Sequence, residues 1–260
     1  MGFTDNSNSW EGFAQEDALW AILTDPSKKR GRWNRDDFFK TGEKEIQTIA
    51  SYLKQHGWMP TGGAALDFGC GVGRLSRALS NRFERVIGVD VSETMIRKAA
   101  ELNLNYLSTI EFRHNPSPNL DLIPNNSIAF IYSAIVLQHI SKREALFFVE
   151  EFLRKLEPNG IAVFQLPTKD IRKVSLLKRF RNTTRIRERL AGIGIGKAYH
   201  MEMNVFEEEV LDRLISEGSC TILDKQFTNH TNPAYNGDVK FINEDELQDF
   251  VSRLYVVRKQ

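Results

Sequence analysis

The stretch Leu66-Asp67-Phe68-Gly69-Cys70-Gly71-Val72-Gly73-Arg74-Leu75 sets glycines at alternate positions behind a short apolar run. A backbone without side chains at Gly69 and Gly71 turns sharply and admits a ligand closely, because a side chain there fills the space the ligand needs. About 20 residues on, Val86-Ile87-Gly88-Val89-Asp90 ends a second apolar run in an acid, placed to accept from both hydroxyls of a ribose. Turn and acid together point to a ligand built on adenosine.

Charge beside the turn separates the adenosine ligands. A dinucleotide brings a pyrophosphate to the glycines, where backbone N–H groups and a helix N-terminus favour anions, and Asp67 would oppose it. S-adenosylmethionine instead brings an ammonium and a sulfonium, which a nearby carboxylate favours directly or through water. Spacing discriminates less. Counted from Gly69, the last glycine of a GxGxxG turn falls on Arg74; counted from Gly71, it falls on the small residue Ser76. In the other reading Asp67 only caps the turn.

Strands and helices must bring these residues to one edge. Short apolar runs at 64–68, 86–89, 110–113, 128–133 and 161–166 alternate with helical stretches at 72–81, 92–102 and 142–156, the pattern of βαβ units and a parallel sheet. Ser92 is a good N-cap, and Glu157-Pro158-Asn159-Gly160 reads as a helix stop and turn. The rhythm resumes with a helix at 206–216 and strands near 221–225 and 251–257. Residues 1–60 read as a helical extension or lid, with amphipathic stretches at 13–23 and 43–56. Between these lies an aromatic and charged run, Arg32 to Phe39, which is either a wrap over the core or a lid touching ligand through Trp33 and Phe39. Residues 61–260 then form one α/β domain, interrupted at 168–204 by a basic helical insert.

These motifs resemble the class I S-adenosylmethionine-dependent methyltransferases, closely over 62–167 and loosely elsewhere. The resemblance implies a Rossmann-like, open, mostly parallel seven-stranded sheet with helices on both faces. It implies S-adenosylmethionine as cofactor and S-adenosylhomocysteine as product. Asp67, Gly69, Cys70, Gly71, Gly73 and Arg74 look like the family's first motif, bordering the methionine end of the cofactor. Val89-Asp90-Val91-Ser92 looks like the second motif, with Asp90 on the ribose, and Met95 falls where a residue packs near the adenine. Two positions depart from the pattern: an acid common after the third strand is here Asn115, followed by Pro116, and a second acid common in the fourth strand is here Ala129. Asn115 still offers a carbonyl oxygen to the adenine amino group.

Beyond the fourth strand, Ser133-Ala134-Ile135-Val136-Leu137-Gln138-His139-Ile140 resembles a stretch that borders the active cleft in relatives. Ser133, Ala134 and Gln138 are expected at the cofactor. His139 either removes a proton from the acceptor as a general base or orders the loop. Methyl transfer needs mainly an in-line approach to an excellent leaving group, so no catalytic triad is expected.

The acceptor is less legible. In relatives the region after the fifth strand lies over the substrate, which directs attention to the basic insert and to Tyr199 and His200. Its Arg and Lys residues suggest an anionic small molecule or a glycan or sugar-nucleotide precursor, methylated on oxygen or nitrogen; a solvated amphipathic helix accounts for them equally well. Other readings are an RNA methyltransferase and a catalytically silent cofactor-binding protein. Thin aromatic interleaving weighs against nucleic acid.

Whole-chain properties narrow the classes further. Basic and acidic residues number 35 and 34, a net charge of +1 that draws the protein to neither nucleic acid nor membrane. The two cysteines, Cys70 and Cys220, form no CxxC pair, and the histidines are scattered, so no metal site is expected. Without a signal peptide pattern or an apolar run of spanning length, a cytoplasmic location is expected.

Overall fold

The computed structural model describes residues 3–172 and 201–260, with side chains from residue 6 onward. Seven strands form one sheet: β1 (Ala64–Phe68), β2 (Arg85–Asp90), β3 (Ile110–His114), β4 (Ile128–Ser133), β5 (Leu156–Asp170), β6 (Cys220–Phe227) and β7 (Phe250–Lys259). Their order is β3-β2-β1-β4-β5-β7-β6. The first five pair in parallel, and β7 runs antiparallel to both β5 and β6. The sheet is therefore mostly parallel, as expected, with one reversed strand. The winding changes direction between β1 and β4, and ligands of open α/β sheets collect in the crevice beyond the carboxyl ends of the strands at such a point.

Helices cover both faces, which is why the central strands read as unbroken apolar runs; β4 is buried along its whole length. One core layer joins Leu66, Ile87, Ile131 and Phe164 to α5 (Lys142–Lys155) and α6 (Glu208–Glu217). The other joins Ala65, Val86, Phe130 and Val163 to α2 (Arg35–Gln55) and α3 (Arg74–Leu79). Each fully buried Phe or Ile in these layers contributes about 1.5–3 kcal/mol. Helix α4 (Glu93–Leu102) begins where expected: the Ser92 hydroxyl accepts from the Met95 N–H at 3.1 Å.

Three local expectations are corrected. Helix α2 starts at Arg35 rather than near 43, because Asn34 caps it, accepting from the N–H groups of Asp36 and Asp37 at 3.0 and 3.1 Å. The aromatic and charged run is thus the first turn of a core helix. Helix α1 (Phe3–Ile22) is longer than the expected 13–23 and breaks at Asp17, whose carboxylate accepts from Gly31 N–H at 2.8 Å and from Trp20 N–H at 3.4 Å. Strand β5 begins at Leu156, so the expected turn at 157–160 is an irregularity inside a strand: Leu156 pairs with Ile128 and Ile161 with Phe130, with Asn159 left-handed between them. Most of the basic insert, including Gly192 to Gly196, lies outside the described residues.

Candidate active site

The carboxyl ends of β1, β2, β3 and β4 open into one cavity. At the end of β1 the chain reverses through left-handed Gly69 (φ 73°) and Gly71 (φ 52°), which L side chains avoid. A Cβ on Gly69 would lie 2.4 Å from Val136 Cγ2, and one on Gly71 would lie 2.5 Å from Ile22 Cδ1. The glycines therefore admit two apolar side chains, one from the β4 turn and one from α1, as well as leaving room over the backbone.

Asp90 closes the second strand and braces this turn. One carboxylate oxygen accepts from Gly71 N–H at 2.9 Å and the other from Ser92 N–H at 2.9 Å. Burial raises its pKa against these two bonds. Each oxygen keeps a further lone pair for a ribose hydroxyl. Val91 and Met95 supply apolar wall beside it, and Asn115 lines the cavity with its amide N–H committed to the Asn119 carbonyl at 2.8 Å, which leaves its own carbonyl oxygen as the acceptor.

Cys70 sits between the two glycines, buried and facing the same cavity. Burial, then the carboxylates of Asp67 and Asp90, push its thiol well above the ordinary range. Beyond β4, Ile135 is left-handed (φ 55°), a conformation costly for a β-branched residue, and its N–H is held by the Gln165 side-chain carbonyl at 2.9 Å. That turn delivers Gln138 and His139. The His139 Nδ1 lies 2.6 Å from the Glu202 carbonyl, which fixes it as the protonated nitrogen; the Gln138 amide lies 3.3 Å from Nε2. Burial pushes the ring down to about 4, against the bond to Glu202, so it is neutral at physiological pH.

Of the residues expected at the cofactor, Gly69, Cys70, Gly71, Arg74, Asp90, Val91, Met95, Asn115, Ala134 and Gln138 line the cavity together with His139. Others serve it from behind. Gly73 is the left-handed N-cap of α3, Ser92 caps α4, and the Ser133 hydroxyl donates to the Phe68 carbonyl at 3.2 Å. Pro116 is exposed outside the cavity. The placement of Asp67 against the cofactor's cationic end is corrected: its carboxylate is buried away from the cavity and accepts from the Ser76 hydroxyl at 2.6 Å, pinning α3 to β1. Burial pushes that carboxyl up to about 7 against the Ser76 bond and the Arg74 charge. Trp33 and Phe39 are also corrected. Phe39 is core, with the Arg77 guanidinium 3.4 Å above its ring, and the Trp33 indole donates to the Leu23 carbonyl at 3.1 Å. Tyr199 and His200 lie outside the described residues.

Several cavity residues carried no motif signal. Helix α1 contributes Asn6, Trp10, Ala21 and Ile22 to the lining. Asn6 donates to the His139 carbonyl, the Trp10 ring sits 5.5 Å from the His139 ring, and Ile22 meets Gly71. Glu11 fastens this helix to the N-terminus of α4, accepting from the Ser92 hydroxyl at 2.7 Å, from the Thr94 N–H at 3.2 Å and from the Thr94 hydroxyl. Burial opposes its ionisation, but these bonds outweigh it and hold the carboxyl at about 2. The connection from β6 to β7 brings His230, Thr231, Asn232, Pro233 and Tyr235 to the far side. Beneath them Glu45 of α2 is fully buried and accepts from Arg74, Tyr132 and Tyr235, each at 2.8 Å, with the His230 ring 3.7 Å away. A lone Glu in the middle of an apolar helix face, four residues before Ile49, was the one available hint of this network.

Among the described residues, no group of three His, Cys, Asp or Glu side chains is placed to hold a metal, and no helix is long and apolar enough to cross a membrane.

Residues 65–160 match the model of a methyltransferase domain family. Phosphoethanolamine N-methyltransferase 1 of Arabidopsis thaliana is 31% identical over 124 residues, 47% of this chain and 24% of that protein. Malonyl-[acyl-carrier protein] O-methyltransferase of Methylovorus sp. is 32% identical over 107 residues, 39% of this chain and 36% of that protein. The matched segments thus span about a quarter to a third of these relatives. The magnesium protoporphyrin IX methyltransferase of Synechocystis PCC 6803, solved with bound S-adenosylhomocysteine, shares the fold with a TM-score of 0.61 at 16% identity, over 98% of this chain and 100% of that one.

Proposed function

We propose that this chain, which belongs to the class I S-adenosylmethionine-dependent methyltransferases by its match over residues 65–160, binds S-adenosylmethionine in the cavity at the switch point and methylates an oxygen or nitrogen of a small molecule. The observation that carries this reading is Asp90: a carboxylate at the end of β2, facing the cavity and bonded to the N–H of Gly71. The residues present fit the cofactor. Asp90 would hold the ribose, Val91 and Met95 the adenine faces, Asn115 the adenine amino group, and Gly69 to Gly71 the methionine portion. When bound, the cofactor supplies a methyl group already activated on a sulfonium.

The chain's own contribution is placement and proton management. Helix α1 excludes water through Trp10 and Ile22, while α2, expected as part of the same lid, belongs to the core. His139 offers a neutral Nε2 to the proton leaving an acceptor hydroxyl or amine, and its Nδ1 bond to Glu202 sets the tautomer. The expectation of an anionic glycan or sugar nucleotide rested on the basic insert, most of which lies outside the described residues. The alternatives of RNA methylation and of a silent binding protein draw no support from a specific contact among the described residues.

Calorimetric titration tests the cofactor: S-adenosylhomocysteine binds and NAD does not, and the reverse result sinks the reading. His139→Ala lowers kcat by roughly 10²- to 10⁴-fold, the usual scale of general-base catalysis, while S-adenosylhomocysteine affinity stays near native. Because the ring stays neutral down to about pH 4, its availability as a base is constant between pH 6 and 8 and is lost only as pH falls through about 4. Equal losses of turnover and cofactor affinity in the variant assign His139 to loop ordering instead.

A further inference from the structure

The sheet order divides the cavity. The ends of β2 and β3, with Asp90 and Asn115, lie on one side of β1; the β4 turn and the β6 to β7 connection lie on the other. If the first side takes the adenosine of the proposed cofactor, the second is left for the acceptor, and its chemistry is on the page. Among the lining residues are Trp10, Ile140, Met201, Met203 and Pro233, with the Trp10 ring 5.5 Å from the His139 ring.

Charge is the decisive property. Among the described cavity residues, the acidic and basic side chains are Asp90, Arg74 and two histidines, His139 and His230, and the His230 ring faces Glu45 at 3.7 Å. Asp90 belongs to the adenosine side, and Arg74 is 2% exposed and spent on Glu45 at 2.8 Å. Among the described residues a phosphate or carboxylate buried here meets no free cation, and an ammonium meets no free carboxylate; an unpaired buried charge is strongly penalised. Polar side chains on the acceptor side are also engaged. The Thr231 hydroxyl donates to the Phe250 carbonyl at 3.1 Å, the Asn232 carbonyl accepts from Gln248 N–H at 3.0 Å, and the Tyr235 hydroxyl donates to Glu45. A sugar, with a hydroxyl on nearly every carbon, would leave many of its groups without partners.

Resting on the function proposed above, we infer that the acceptor is an uncharged molecule with an apolar, ring-sized body and a nucleophilic hydroxyl, received between Trp10, the Met201 and Met203 side chains and Pro233, with the hydroxyl toward His139. Aromatic and thioether side chains suit a flat apolar body, since sulfur and ring faces both pack well on aromatic edges. The transfer balances simply: the hydroxyl oxygen forms the new bond to the methyl carbon, the bond from that carbon to sulfur breaks with its electron pair going to sulfur, and the hydroxyl proton goes to His139 Nε2.

A matched pair of probes tests the class. The chain saturated with S-adenosylhomocysteine is titrated by calorimetry with 2-naphthol and with 2-naphthyl phosphate, which share a ring system and differ in charge. The expected result is binding of 2-naphthol at least about tenfold tighter than of the phosphate. With S-adenosylmethionine in place of the product, 2-naphthol is expected to yield its methyl ether. Preference for the phosphate, or no binding of 2-naphthol to the loaded chain, overturns the acceptor class while leaving the cofactor reading intact; the phosphate arm also registers any cation contributed by residues 173–200. Failure of S-adenosylhomocysteine itself to bind overturns the reading beneath it.

Discussion

Asp90→Ala will bind S-adenosylhomocysteine roughly 10²- to 10⁴-fold more weakly than the native chain in a calorimetric titration. Two hydrogen bonds from a carboxylate to ribose hydroxyls are each worth about 1.5–3 kcal/mol, so losing both spans that range or more. The same carboxylate also holds Gly71 N–H and Ser92 N–H at 2.9 Å. Its removal therefore frees the glycine turn and the start of α4 at once, and the loss falls at the upper end. The pH dependence has a definite sign. Burial raises the Asp90 pKa, and bonds from ribose hydroxyls favour the ionised form; affinity is full where Asp90 is ionised and declines as pH falls through its raised pKa. Near-native affinity in Asp90→Ala removes Asp90 from the cofactor.

Glu45→Ala will lower the unfolding free energy by about 3–5 kcal/mol in urea, the scale expected when one partner of a buried ion pair is deleted. Burial alone pushes the Glu45 carboxyl up, but Arg74, His230 and Tyr132 outweigh it and hold it well below the usual carboxylate range. A carboxylate depressed in this way contributes stability above its unfolded pKa and loses it as pH falls through the folded value, so the native chain will denature in acid in part through this site. The variant leaves the Arg74 guanidinium buried without its counter-charge and strips the acceptor from two tyrosine hydroxyls. A Glu45→Ala, Arg74→Met double variant recovers much of the loss. A single-variant cost below about 1 kcal/mol would show that the network is not what joins α2 to the sheet.

Much of the frame was legible because its signals are local. The parallel strands are short apolar runs, and the cap at Ser92 and the span of α5 follow from residue type and spacing. The candidate cofactor edge was legible as one cavity wall for the same reason: glycine turn and acid lie within one βαβ unit. What escaped is what folding brings from afar. Asn34 sits 9 residues before the amphipathic signal of α2 at 43, so its cap and the core placement of Phe38 and Phe39 were missed. Asp67 was read by sequence distance from Gly69, whereas strand alternation turns its side chain to the opposite face, toward Ser76. His230, Tyr235 and Asn6 reach the cavity only because β7 reverses and α1 folds back over α4, neither of which leaves a periodic trace.

A sulfonium donor alkylates whatever nucleophile it meets, and a thiolate is the most reactive one a protein can offer. Cys70 stands in the wall of the hollow assigned to that donor, yet the loss of solvent, and after it two nearby carboxylates, keep its sulfur protonated. Under the proposed function the chain is thereby spared alkylation by its own reagent, a protection that weakens if the surrounding negative charge is replaced by positive.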